Sequence, residues 1–310
     1  MYFPFISSPS AKKRSNKLKP RAGGGGGGRG GGGGGGRTGG GSSGGSSGAS
    51  GGRSSTPIST GGGTSRPASS FSSGGGPVTN IPSGSLFAGR QEGGGNRQQV
   101  YGNSVYGSGY PNVPGRGVAS RGFPFYFWPI AWGGAAGVGG AAYLHNREYG
   151  NPDNSSRPGG PMVQAAIVSN STNSTFRIVA DNFTVTSLIE EISSSCSSNI
   201  NNSSSSSTPT PIPNDNSTSP PQPENAIQYY RASSVALTLD GYNNTAALSS
   251  DENLPPVPLP QGIDNALKDC LNNTIGEAVP LIDNGASKLG VVGMGQIALM
   301  WVVLGLLFGF

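Results

Sequence analysis

The chain has 310 residues, of which 55 are glycine and 25 proline; 33% are hydrophobic and 11% charged. Ordinary globular domains carry about 45–50% apolar and about 25% charged residues, so one large core filling the chain is excluded, and one small domain beside long unfolded stretches is expected. A single histidine, His145, and two cysteines, Cys196 and Cys270, exclude most metal sites and histidine-dependent chemistry, and no cofactor is expected.

Charge is unevenly spread. Residues 1–122 hold 14 of the 20 Lys and Arg and one acid, Glu92, for a net +13, whereas residues 123–310 hold six bases and 14 acids, for a net −8. A basic, low-complexity arm attracts acidic polysaccharide, anionic lipid or nucleic acid, and charge alone does not choose among them.

Residues 1–122 read as a disordered Gly/Ser-rich arm, because no apolar periodicity opposes the entropy that glycine loses on ordering. Its densest basic cluster is Lys12, Lys13, Arg14, Lys17, Lys19 and Arg21, and its later part brings in Tyr101, Tyr106 and Tyr110. Residues 123–144, FPFYFWPIAWGGAAGVGGAAYL, form a charge-free apolar block. It reads either as a membrane segment or as an aromatic segment packed on the domain.

Residues 145–283 are expected to form one small α+β domain, a short antiparallel sheet with two helices. MVQAAIV (162–168) and TFRIVAD (175–181) read as strands, the second with Phe176, Ile178 and Ala180 alternating against Arg177, Val179 and Asp181. A helix follows, with Val185, Leu188, Ile189, Ile192 and Cys196 on one stripe and Ser187 and Glu190 offering a capping box. Residues 197–223 are a Ser/Thr/Pro-rich surface insertion with only Ile200 and Ile212 fit for a core. A strand resumes near Tyr229, with Val235, Leu237 and Leu239 on one face, and ends at the Asp240-Gly241 turn. A second helix over about 263–275 aligns Ile263, Ala266, Leu267, Cys270, Leu271 and Ile275.

Three signals point to the secretory pathway. N-glycosylation sequons occur at Asn154, Asn170, Asn173, Asn182, Asn201, Asn202, Asn216, Asn243 and Asn272. Each works only if exposed in the lumen. Those in the Ser-rich insertion are the ones most readily made by chance, and Asn272 is expected to face solvent. Cys196 and Cys270 each sit on an apolar helical stripe; they read as one disulfide, with two unpaired core thiols as the alternative. The C-terminus runs DNGASKLGVVGMGQIALMWVVLGLLFGF. Small residues at Asn284, Gly285 and Ala286, a spacer and an apolar tail from Ile297 to Phe310 match a glycosylphosphatidylinositol (GPI) signal over 284–310, with attachment at Asn284. The alternative is a transmembrane helix from Leu289 to Phe310.

The amino-terminal residues lack the apolar run of a signal peptide. Either the true start precedes this sequence, or 123–144 acts as an internal signal anchor with the positive arm inside and every sequon outside.

The segments GFPFYFWPIAWGG, NSSRPGGPM, QYYRASSVALTLDGYNNT and CLNNTIGEAVPLID resemble segments of a group of basidiomycete fungal proteins with a Gly-rich arm and a hydrophobic, GPI-type C-terminus. The resemblance covers about residues 120–285 and implies a fungal cell-surface setting with no catalytic residues.

Rival classes carry less. An RGG-like RNA-binding reading rests on the Arg/Gly arm and its tyrosines, but arginine is sparse in the glycine runs. A single-pass or two-pass integral membrane protein fits the two apolar blocks. Catalysis finds no Gly-x-Ser-x-Gly elbow; Glu190 and Glu191 are adjacent, and Asp240, Asp264 and Asp269 fit turn and helix-end positions. The expected function is therefore a non-enzymatic, glycosylated, membrane-anchored surface or wall protein. It would have a structural or adhesive role, with wall polysaccharide or acidic surfaces as partners of the basic arm.

Overall fold

The computed structural model describes residues 55–60, 63–132, 142–144, 147–212, 219, 221–249, 251 and 254–283. In chain order these form β1 (Thr56–Ser59), β2 (Ser65–Ser69), β3 (Thr79–Asn80), β4 (Gln91–Glu92), β5 (Met162–Val168), β6 (Thr175–Asp181), α1 (Asn182–Ser195), β7 (Thr210–Pro211), β8 (Ala226–Tyr230), β9 (Val235–Leu239), α2 (Asn265–Ala278) and β10 (Leu281–Ile282). The main sheet is antiparallel in the order β7-β5-β6-β9-β8, with β1-β2-β10 and β3-β4 as smaller antiparallel sheets.

The β5–β6 hairpin and both helices lie where the periodicity puts them, and Cys196 and Cys270 are bonded with Cα atoms 5.9 Å apart. Closing a loop of this length stabilises the fold by about 4–5 kcal/mol in the chain-entropy model. The first helix starts earlier than the capping box at Ser187 suggests. Asp181, the last residue of β6, caps it by accepting from the Thr184 N–H at 3.0 Å. The strand expected near Tyr229 is two strands. Between them Arg231, Ala232 and Ser233 all take left-handed φ angles of 50°, 48° and 59°.

Three successive left-handed residues without glycine are strained, and the surroundings must hold them. Arg231 does most of this. Its fully buried guanidinium bonds the Asp181 carboxylate at 2.7 Å, the Ser234 hydroxyl at 2.7 Å and the Pro280 carbonyl at 2.8 Å. Its face lies 3.5 Å from the centroid of Phe127. Burial lowers the Arg231 pKa and the neighbouring Asp181 raises it in part. One ion pair thus ties the β8–β9 turn to the start of α1 and the end of α2.

The largest departure from the sequence expectation is the boundary at residue 122. The described structure begins at Ser55. Ile58, Ala68, Ile81, Val100, Tyr106, Tyr110 and Val118 are buried in the same core as the sheet and helices. Their apolar anchors are spaced by turn glycines, so a composition average hides them. Residues 100–103 run along the open edge of β8, where Gly102 N–H donates to Tyr229 O at 3.0 Å and Arg231 N–H to Val100 O at 2.7 Å. Successive strand residues face opposite ways. Tyr230 bonds Asn272 on α2, while Tyr229 packs its ring against Tyr106. The helices therefore cover one face of β8 and the arm's aromatic residues the other.

The apolar block follows the same logic. Phe123, Phe125 through Trp128, and Ile130 through Trp132 are buried without a helical turn, as in the packed-segment reading. Among the described residues no helix is long and apolar enough to cross a membrane. Residues 133–141 and the GPI-type tail at 284–310 lie outside the described residues. The Ser-rich insertion is more than surface. Ile200 and Ile212 are buried, and the Ser205 and Ser206 hydroxyls accept from the Val168 and Ala166 N–H groups of β5 at 2.9 and 3.0 Å. Serines here satisfy a strand edge that would otherwise invite pairing with another chain.

Candidate binding groove

The arm also builds a concavity. Its floor is the backbone around β4, where Gly93 and Gly94 take φ angles of 96° and 90° that favour glycine. Asn96 then starts a single helical turn in which the Gln99 side chain accepts from the Asn96 N–H at 3.2 Å. The result is a cavity of about 540 Å³ walled by Val78, Gln91, Gln99, Tyr110 and Pro124. It adjoins a smaller one of about 190 Å³ that shares Gln99, Tyr110 and Pro124 and adds Tyr101 and Phe125. The combined groove is large enough for a small-molecule or peptide ligand.

Its chemistry is aromatic and amide rather than charged. Arg90, the one cation among the described residues of its wall, is ion-paired to Glu148 and stacked 4.9 Å from the centroid of Phe87. Burial raises the Tyr110 phenol well above its ordinary range, with Tyr149 and Tyr106 adding to the shift, so the ring stays neutral at physiological pH. Tyr101, 44% exposed, stands at the mouth.

The arginines of the arm that the structure describes are committed to the fold. Arg66 stacks on Tyr126, Arg121 on Tyr110, and Arg116 donates to the Ser249 carbonyl at 2.8 Å. Arg97 reaches the last turn of α2 and donates to Val279 O at 2.7 Å and Gly276 O at 3.2 Å. A cation there complements the partial negative charge of a helix C-terminus. Burial and the nearby Arg231 lower the Arg97 pKa to about 10, so it stays charged. The other nine bases of the arm, among them the cluster at 12–21, lie outside the described residues.

The sequon asparagines divide by position. Asn170, Asn173, Asn182, Asn202 and Asn243 are exposed, and Asn154 and Asn201 half-buried; Asn216 lies outside the described residues, as do Asn284 and His145. Asn272 differs from expectation. It is half-buried, and its Oδ1 accepts from the Tyr230 hydroxyl at 2.7 Å, because β8 brings Tyr230 and the arm brings Tyr101 to that face of α2. Ala266, expected on the apolar stripe, is exposed. Of the acidic residues weighed for catalysis, Asp240 pairs with Arg177 at 2.7 Å, Asp264 caps α2, Asp269 lies 3.3 Å from Lys268, and Glu190 is exposed while Glu191 is buried. Among the described residues no three His, Cys, Asp or Glu side chains are grouped to hold a metal ion.

Sequence reasoning missed the groove. Its signal was the interruption of the glycine-rich run by Tyr101, Tyr106 and Tyr110, noticed as composition but not as core and wall. No family model, curated protein or solved structure matches the chain.

Proposed function

We propose that this is a non-enzymatic, N-glycosylated protein of the fungal cell surface or wall, held at the membrane through its C-terminal tail, with a structural or adhesive role. The supporting observation is that five of the glycan acceptors lie away from the chain's exit, while exposed Asn182, beside Asp181, lies nearer to it. Asn170 and Asn173 sit in the β5–β6 turn, Asn201 and Asn202 lie beside it through the Asn201 N–H bond to Val168 O, and Asn243 follows the end of β9. All five gather where α2 begins, because Ser169 and Ser171 of that turn donate to the α2 cap Asp264 at 2.6 and 2.9 Å. The described chain ends at Asp283, beyond the other end of α2, whose 14 residues span about 21 Å at 1.5 Å per residue.

There Asp283 is pinned by the arm. Its N–H donates to Pro67 O at 2.8 Å, and its carboxylate accepts from Ser69 at 2.6 Å and Ser55 at 3.1 Å. A lipid anchor at Asn284 would leave that end toward the membrane and the glycan-bearing end outward. No sequon occurs in residues 55–132, which build the groove, so this surface stays clear for contact.

Surface labelling of host cells followed by phosphatidylinositol-specific phospholipase tests the reading. Release of an endoglycosidase-sensitive protein is expected. An unglycosylated protein confined to the cytosol would overturn the reading, and a glycosylated protein resistant to the phospholipase would replace the lipid anchor with a transmembrane tail.

A further inference from the structure

Between β9 and α2 the chain runs Leu254-Pro255-Pro256-Val257-Pro258-Leu259-Pro260-Gln261. Every residue from 254 to 260 either is proline or precedes one. Proline fixes its own φ near −65° and pushes the residue before it out of the helical region, so the whole stretch is restricted to the polyproline II and extended basin. The structure has neither helix nor strand there, and every residue is exposed. Leu254, Val257 and Leu259 are 43%, 37% and 37% exposed, unusual for large apolar side chains in a row.

The strap is held in place. The Val257 N–H donates to Asn244 Oδ1 at 3.0 Å, and the Val257 carbonyl accepts from the Tyr242 hydroxyl. Leu254 and Pro256 border a narrow crevice with Val105, Arg116 and Tyr143, none of which lines the groove. Its ordering entropy is therefore already spent before any partner arrives. Such a preformed segment, with its side chains presented outward, is what aromatic-lined grooves recognise.

The same chain carries such a groove. Tyr101, Tyr110, Pro111, Pro124 and Phe125 supply rings, and Gln99 supplies an amide for the strap's carbonyls. Charge is matched as well. Residues 254–263 carry none, and Arg90 on the groove wall is paired with Glu148.

We infer that the proline strap 254–261 of one copy docks in the Tyr101–Tyr110 groove of a second copy. The two patches differ, so the contact is head-to-tail and propagates into chains or rings rather than closing as a two-fold dimer. This builds on the contact-surface reading above and gives adhesion a physical basis; its test is a solution measurement independent of where the protein resides.

A synthetic peptide of residues 252–263 is titrated into the full-length protein while the tyrosine ring signals are followed by NMR. Saturable shifts at Tyr101 and Tyr110 are expected, with at least a tenfold loss of affinity for the same peptide carrying Pro256→Ala and Pro258→Ala. Because those changes are in the peptide, the protein's folding is not at issue. The full-length protein should also sediment as concentration-dependent assemblies, and the same Pro256→Ala and Pro258→Ala changes made in its exposed strap should return it to monomers. No shift with the peptide, or shifts that ignore the proline substitutions, would overturn the proposal. So would shifts produced by a neutral glucan oligosaccharide but not by the peptide, which would make the groove a saccharide site.

Discussion

The ring of Tyr101 occupies the space a Cβ on Gly276 would need, in the last turn of α2. A glycine inside a helix costs up to about 1 kcal/mol relative to alanine. Here it allows the arm to lie flat on the helix, where the Tyr101 hydroxyl donates to Asn272 O at 3.4 Å and its ring packs 5.8 Å from that of Tyr230. Arg97, one turn of chain earlier, closes the same contact over the α2 C-terminus.

Replacing Gly276 with Ala should therefore fail to stabilise the protein. The propensity gain is offset by the lost ring contact, of order 0.5–1.5 kcal/mol. Hydrogen exchange should show residues 97–103 loosened while the sheet is unchanged. A gain of about 1 kcal/mol in chemical denaturation, with unaltered protection of the arm, would contradict the account.

Arg231→Ala should be the most damaging single change in the interior. It strands the Asp181 carboxylate, releases a strained left-handed turn and removes the stack on Phe127. Breaking one side of a buried pair costs about 3–5 kcal/mol. Urea denaturation measures this, and a loss under 1 kcal/mol would show that the pair is not holding the turn.

Asp264 sets an acid limit. Burial alone would raise its carboxyl, but the Leu267 N–H and the Ser169 and Ser171 hydroxyls outweigh this and hold it below the ordinary carboxylate range. A depressed folded-state value stabilises fully above the unfolded value of about 3.9 and loses that contribution as pH falls through the folded value. Asp264→Asn keeps the cap but loses the carboxylate oxygen that accepts from Ser169 and Ser171, and should lower stability at neutral pH by about 1 kcal/mol. Its loss of stability below about pH 4 should then be shallower than that of the unaltered protein. Parallel acid limbs would exclude Asp264 as the responsible group.

Deletion of residues 1–54 should leave the fold intact, whereas deletion of residues 1–122 should abolish cooperative unfolding. The second cut removes Val100, Tyr106, Tyr110 and Val118 from the core and exposes the edge of β8. Circular dichroism on heating distinguishes the two, and a sharp transition in the shorter chain would restore the boundary at residue 122.

The elements legible in the sequence are those whose register repeats locally. The alternation of Phe176 and Ile178 against Arg177 and the stripes through Leu188 and Leu271 survive in the structure because each is fixed by one face of one element, whereas at the end of β6 Val179 and Asp181 are buried as well. The disulfide was legible for the same reason, as two cysteines on two apolar stripes. What escaped was held by non-local contacts. Val100 and Tyr106 are isolated apolar residues among glycines, and only the edge of β8 and the ring of Tyr229 give them a partner. Asp181 looked like the polar face of a strand. Its role as helix cap and partner of Arg231 depends on a turn fifty residues away. The groove was illegible because its walls come from separate turns, with no periodic signal to join Gln91, Gln99 and Tyr110.

The central claim is that a disulfide-bonded domain carries glycans at the end away from its anchor. Intact-glycopeptide mass spectrometry on the mature protein from its own host addresses this directly. The account predicts glycans at the exposed Asn170, Asn173 and Asn243, a bonded Cys196–Cys270 pair, and a lipid-modified C-terminus at or near Asn284. Unmodified asparagines at all three positions, together with alkylatable thiols at Cys196 and Cys270, would contradict it.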